Sequence, residues 1–276
     1  MTTITRIPYQ PERCFEFLMS SKAGSEYRIL IAAPADPPPE GGYGVVYTLD
    51  GDALFQTLAE TVKLQTRKPK GYDPILVVGI AYPSKVPYDM HRRCRDFTLP
   101  VAPETLPVRP GGEAWPPYGE ADAFLDFLEQ DLMPWVGKEW PIDSTRQAVV
   151  GHSLGGLLTL YALAIRPRLY SHYVAISPSV WWGEYEVLRQ LERLKEAWCG
   201  EHPIHLMLAI GAEELPDMVE GAKKAAQCME ELSKRKVYTV LNEFAGEEHL
   251  SVLPGALGRI FMEQPKIRDW TVSLCG

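Results

Sequence analysis

Apolar positions follow two rhythms along this chain. Short, almost wholly apolar runs at Arg28 to Ala33, Val45 to Leu49, Ile75 to Ile80, Ala148 to Val150, Tyr173 to Ile176, Ile204 to Ile210 and Val237 to Leu241 predict strands buried on both faces. Between and after them the apolar residues recur every three or four positions, at Leu54 to Leu64, Ala121 to Leu132, Leu157 to Ile165, Tyr185 to Ala197, Met218 to Arg235 and Ser251 to Phe261, which predicts helices. The alternation is that of an α/β fold, a mostly parallel sheet with helices on both faces. Met133-Pro134 is expected to end the helix that starts at Ala121, because proline has no N–H to continue the ladder.

The pattern fails in three places. Residues 1 to 24, with Pro8 and Pro11, predict an irregular segment or an edge strand, and Ala35 to Gly42, with three consecutive prolines, predicts a surface turn. Tyr82 to Tyr118 is rich in proline and carries Arg92-Arg93-Cys94-Arg95 and Gly111-Gly112, so it predicts a long irregular insertion. A loop of that length inside a compact domain is expected to line a substrate cleft.

Composition narrows the classes. With 276 residues, 46% hydrophobic and 23% charged, the chain fits one α/β domain over residues 1–276. A formal net charge of -8 sets the long-range field against phosphates and argues against a nucleic-acid partner. No stretch approaches the roughly 18 consecutive apolar residues of a membrane span, and the start lacks a basic segment followed by an apolar core, so neither a span nor a signal peptide is expected and the expected compartment is the cytoplasm. Cys14, Cys94, Cys199, Cys228 and Cys275 are scattered without ligand spacing, which predicts free thiols, no metal site and no cofactor.

Against that background one stretch carries chemistry. Gly151-His152-Ser153-Leu154-Gly155 reads G-x-S-x-G, follows an apolar strand and opens a helix. This is the context of a nucleophile elbow, with Ser153 as nucleophile. A serine hydroxyl needs a base, and His249 alone among six histidines follows the last core strand, in the order serine, acid, histidine that this architecture uses. His152 is expected to pack behind the turn, and His172, His202 and His205 lie near strand starts, away from the catalytic edge. The orienting acid is expected just past Ile210: Glu214 first, then Glu213, with Asp217 more distant and a Ser153-His249 dyad without acid as the remaining possibility. The oxyanion needs two backbone donors, Leu154 after the nucleophile and Asp52 or Gly51 after the strand Val45 to Leu49.

Together, Tyr47 to Phe55, Arg92 to Pro100, Gly151 to Gly156, Ser177 to Trp182, Gly211 to Glu214 and Gly246 to His249 resemble the esterase D-like family of α/β-hydrolases, and within it the esterases of the trilactone siderophores enterobactin, salmochelin and bacillibactin. The resemblance implies a serine esterase fold, Ser153 and His249 as catalytic, and a site bordered by the segment around Arg93, Arg95 and Asp96, where Leu99 interrupts the family's threonine-proline pair. The siderophore branch is described with a Ser-His dyad, which leaves the glutamate's role open. The residues fit independently: a ferric tris-catecholate is a trianion with aromatic rims, and Arg93 and Arg95 beside Trp181 and Trp182 suit such a ligand. Pairing of the arginines with Asp96 and nearby acids, and tryptophans in the core, are the structural alternatives. The expected function is hydrolysis of a small ester or lactone, foremost of a ferric siderophore, through an acyl-enzyme. Esterases of acetylated or feruloylated sugars, and an acyltransferase or binding protein on the same scaffold, are the other readings.

Overall fold

A computed structural model describes residues 4–6, 9, 11–67, 71–109, 111–200 and 202–260. Its strands are β1 (Cys14–Ser20), β2 (Glu26–Ala32), β3 (Tyr43–Thr48), β4 (Ile75–Ala81), β5 (Ile142–His152), β6 (His172–Ile176), β7 (Ile204–Gly211) and β8 (Val237–Phe244). Its helices are α1 (Gly51–Gln65), α2 (Met90–Phe97), α3 (Ala121–Phe127), α4 (Met133–Glu139), α5 (Leu154–Ile165), α6 (Trp182–Ala197), α7 (Pro216–Glu230) and α8 (Val252–Arg259). The strands form one sheet in the order β1-β2-β4-β3-β5-β6-β7-β8. Pairing is antiparallel at β1-β2 and β2-β4 and parallel from there on. The predicted α/β fold is therefore correct, and β1 is the edge strand expected in the first residues.

Strands β3, β4, β6 and β7 are buried along their whole length because helices cover both faces. One core includes Tyr47, Phe97, Phe124, Leu157 and Trp182 on the side of α2, α3, α5 and α6; the other joins Val46, Leu58, Val150 and Leu257 on the side of α1 and α8. Each fully buried side chain of this kind contributes roughly 1.5–3 kcal/mol.

Two predicted boundaries need correction. Residues 90–97, read as irregular, form α2: Asp89 caps it by accepting from the Arg92 amide at 3.1 Å, and Arg93, Cys94 and Phe97 make its buried face. An arginine on the apolar stripe hid the helical period. The helix from Ala121 does not stop at Met133-Pro134 either; a π-turn over Leu128–Leu132 leads into α4. The Gln130 carbonyl, which Pro134 cannot serve, accepts from Lys22 Nζ at 3.1 Å. The predicted last residue of α8, Phe261, and Cys275 lie outside the described residues. Among those described, Cys14, Cys94, Cys199 and Cys228 are free, and no helix is long and apolar enough to cross a membrane.

Candidate active site

At the carboxyl ends of β3, β5, β6, β7 and β8, successive chain reversals bring polar groups to one place. Ser153 follows β5 with φ 59° and ψ -116°, a conformation that costs a residue with a side chain about 1–3 kcal/mol. Glycine before it makes this possible: a Cβ on Gly151 would run into the Gly155 carbonyl. The elbow is held by Ser153 N donating to Ile176 O at 3.0 Å and Ser179 N donating to Ser153 O at 3.0 Å. The Ser153 hydroxyl lies 3.3 Å from Ser179 Oγ.

His249 stands in the loop after β8, its side chain 40% exposed, with Nδ1 2.7 Å from Oε2 of the 1% exposed Glu214 side chain. Glu214 Oε1 accepts from Ser177 Oγ at 2.5 Å and from Gly211 N at 2.9 Å. Burial pushes the Glu214 pKa up, but the bonds from His249, Ser177 and Gly211 outweigh it and hold the carboxyl below its ordinary 4.5. An ionised carboxylate only accepts, so Nδ1 carries the proton and Nε2 is left with a free lone pair.

Helix starts supply the amide donors. Leu154 opens α5, and Gly51 and Asp52 open α1, so these N–H groups have no carbonyl in their own helix. Gly155 packs against Leu49 and Asp50, which sets the two helix starts side by side. Asp50 takes φ 50° and ψ 52° and accepts two bonds from Arg93, at 2.8 and 3.1 Å. Arg93 also donates to His152 O at 3.2 Å, tying the end of β3 to the end of β5. Burial works against the Arg93 charge, and Asp50 more than restores it.

Ser153, Ser179, Trp181 and His249 separate two lobes of a cleft. One lobe, about 290 Å³, is closed by Tyr88, Met90, Arg93, Trp115 and Leu250; the other, about 380 Å³, by Glu213, Leu215, Met218 and Glu248.

The structure places Ser153, His249 and Glu214 along one lobe of the cleft, with His249 bonded to Glu214, and leaves Glu213 exposed at that lobe. Asp52 is placed for its amide; its carboxylate is engaged by Arg28 at 2.8 Å. Arg93 and Trp181 line the cleft. Arg95 does not: it pairs with Asp96 at 2.8 Å and Glu120 at 3.5 Å. Arg92 lies between the Tyr27 and Tyr82 rings, 4.9 and 4.7 Å from their centroids. Trp182 is fully buried, its Nε1 donating to Leu99 O at 3.1 Å. His172 and His205 stack on each other at the strand starts, 4.5 Å between centroids. Tyr88, Met90, Trp115, Ser179 and Leu250 escaped the sequence reading as individuals. The signal for the first three was the long irregular stretch that contains them. Among the described residues no three His, Cys, Asp or Glu side chains are grouped to hold a metal ion.

The sequence model of the family described as "Putative esterase" matches residues 20–247. The chain belongs to this esterase family. It is a carboxylic ester hydrolase with the α/β-hydrolase fold. The ferri-bacillibactin esterase of Bacillus subtilis is 37% identical over 88% of this chain and 86% of its own length. The siderophore triacetylfusarinine C esterase of Aspergillus fumigatus is 31% identical over 88% of this chain and 90% of its own. Among solved structures, the BES protein of Bacillus cereus superposes with a TM-score of 0.87 at 34% identity, covering 93% of this chain and 97% of that one.

Proposed function

We propose that this esterase opens the lactone esters of a trilactone siderophore through an acyl-enzyme, with Ser153 as nucleophile, His249 as base and Glu214 as the acid that orients it. The observation that carries the mechanism is the 2.7 Å bond from His249 Nδ1 to a buried, triply bonded Glu214, on a histidine that shares both lobes of the cleft with Ser153. His249 Nε2 takes the proton as Ser153 Oγ bonds to the ester carbonyl carbon. The oxyanion then faces the amides of Leu154 and of Gly51 or Asp52, and His249 returns the proton to the departing alkoxide. A water activated by the same nitrogen cleaves the acyl-enzyme and frees Ser153.

The relatives named for bacillibactin and triacetylfusarinine C support a siderophore as substrate. So does the composition of the lobes. Tyr88, Trp115 and Trp181 offer ring faces to an aryl arm, with the Arg93 charge behind them already paired with Asp50, whereas Glu213 and Glu248 give the other lobe a negative charge that disfavours an anionic arm. The aryl arm therefore belongs in the first lobe. Iron arrives, in this reading, as part of the substrate.

The test is the hydrolysis rate of ferric and iron-free enterobactin-type trilactone beside para-nitrophenyl acetate and an acetylated or feruloylated sugar. We expect kcat/KM for the trilactone to exceed the others by at least about 100-fold and Ser153→Ala to abolish all of it. Activity confined to simple or sugar esters would reject the siderophore and leave the esterase standing.

A further inference from the structure

We propose that His152 is a positioning residue for the base: its ring donates to the main chain of His249 and so sets where the His249 imidazole stands relative to Ser153. The inference rests on the reading of His249 as base. His152 Nε2 lies 2.8 Å from His249 O. A carbonyl oxygen only accepts, so Nε2 carries the hydrogen and Nδ1 is a bare acceptor. That Nδ1 is buried and has no hydrogen-bond partner. A phenylalanine would fill the same space, at 1% exposure, without an orphaned nitrogen. What the histidine adds in exchange is the donor on His249 O.

The bonds around it explain why that donor matters. Glu213 N to Glu247 O at 3.0 Å and Glu248 N to Ser251 Oγ at 2.9 Å secure the loop on either side. His249 itself is held at two points, its ring by Glu214 and its carbonyl by His152. Since His152 directly precedes Ser153, the second point ties the base to the residue next to the nucleophile, the shortest route by which the fold can fix their spacing. Charge is arranged to match. The rings of His152 and His249 are 4.5 Å apart, with Arg93 from α2, Glu214 beyond β7 and the Tyr88 ring 6.0 Å away completing the surroundings. Burial first, then the neighbouring His249, pushes the His152 pKa down to about 3, so His152 stays neutral and does not repel the imidazolium that forms beside it.

The experiment compares His152→Phe, His152→Asn and His152→Gln, each alone and with His249→Ala, by kcat, KM and thermal midpoint on one activated ester. Phe removes the donor; Asn places its amide too near the main chain to reach; Gln carries an N–H to about the position of Nε2. We expect Phe and Asn to lower kcat about 10- to 100-fold with KM little changed, Gln to recover most of that loss, and Phe to cost nothing further once His249 is gone. Wild-type kcat in both Phe and Asn, a Gln variant no better than Asn, or an undiminished Phe effect in the His249→Ala background would each overturn the inference. Should the Phe variant fail to fold, the smaller Asn carries the same comparison. Full activity in His249→Ala alone would sink the base assignment, and this inference with it. An inactive His249→Ala beside a wild-type-like His152→Phe would sink only the inference.

Discussion

Glu214 is a carboxylate made useful by its surroundings. Burial alone would neutralise it, yet the bonds from His249, Ser177 and Gly211 keep it charged, and a charged acceptor fixes which imidazole nitrogen bears the proton. Replacing it by glutamine keeps the shape and offers an amide N–H to the wrong side of the ring. We expect Glu214→Gln to reduce kcat about 10³- to 10⁴-fold with a far smaller change in KM, measured on the preferred ester. A loss below about tenfold would restore the two-residue Ser153-His249 reading. Glu214 was legible as a candidate from its place after β7, but so was Glu213. Only the closing of the β8 loop over the end of β7 selects between them, and no local spacing encodes that contact.

At the scale of elements, the β5-α5 elbow is a single steric device. Helix α5 folds back so closely that the position two before the serine has no room for a side chain, and Ser153 absorbs the strain at φ 59°. Gly151→Ala should therefore destabilise the fold by about 3 kcal/mol. Gly137, exposed in α4 with open space where a Cβ would stand, is the counterpart: Gly137→Ala should stabilise by roughly 0.5–1 kcal/mol. Denaturant unfolding of both variants checks the pair, and equal effects would refute the steric account. The elbow was readable because glycine, strand and helix are all local signals. Helix α2 was not, since its buried Arg93 counts as polar until Asp50, 43 residues earlier, is seen to neutralise it.

For the whole molecule, the same burial that shapes the site sets its response to acid. His152 is pushed down to about 3 and His172 well below its ordinary value, both chiefly by burial. A histidine depressed in the folded state is neutral on both sides of the transition above about pH 6.5, so it costs nothing there. As pH falls below that value the unfolded chain takes up the proton and the folded chain does not. Stability is then lost at up to about 1.4 kcal/mol per pH unit for each such histidine, until the folded pKa is reached. Between about pH 7.5 and 5.5 the two together should remove about 3 kcal/mol by denaturant unfolding, and His152→Gln should recover about half of it. A pH-independent stability over that interval would contradict their burial as neutral groups. The order of strands and helices, the elbow and the order of Ser153, the acid and His249 were written in the linear chain, because apolar period and glycine placement act over a few residues. Which glutamate meets His249, which arginine reaches the cleft, that Trp181 lines it while Trp182 lies in the core, and that the His152 ring meets the His249 carbonyl were decided by tertiary structure alone. Each depends on strand ends far apart in sequence meeting at one edge of the sheet, where burial and pairing, rather than residue type, set what a side chain does.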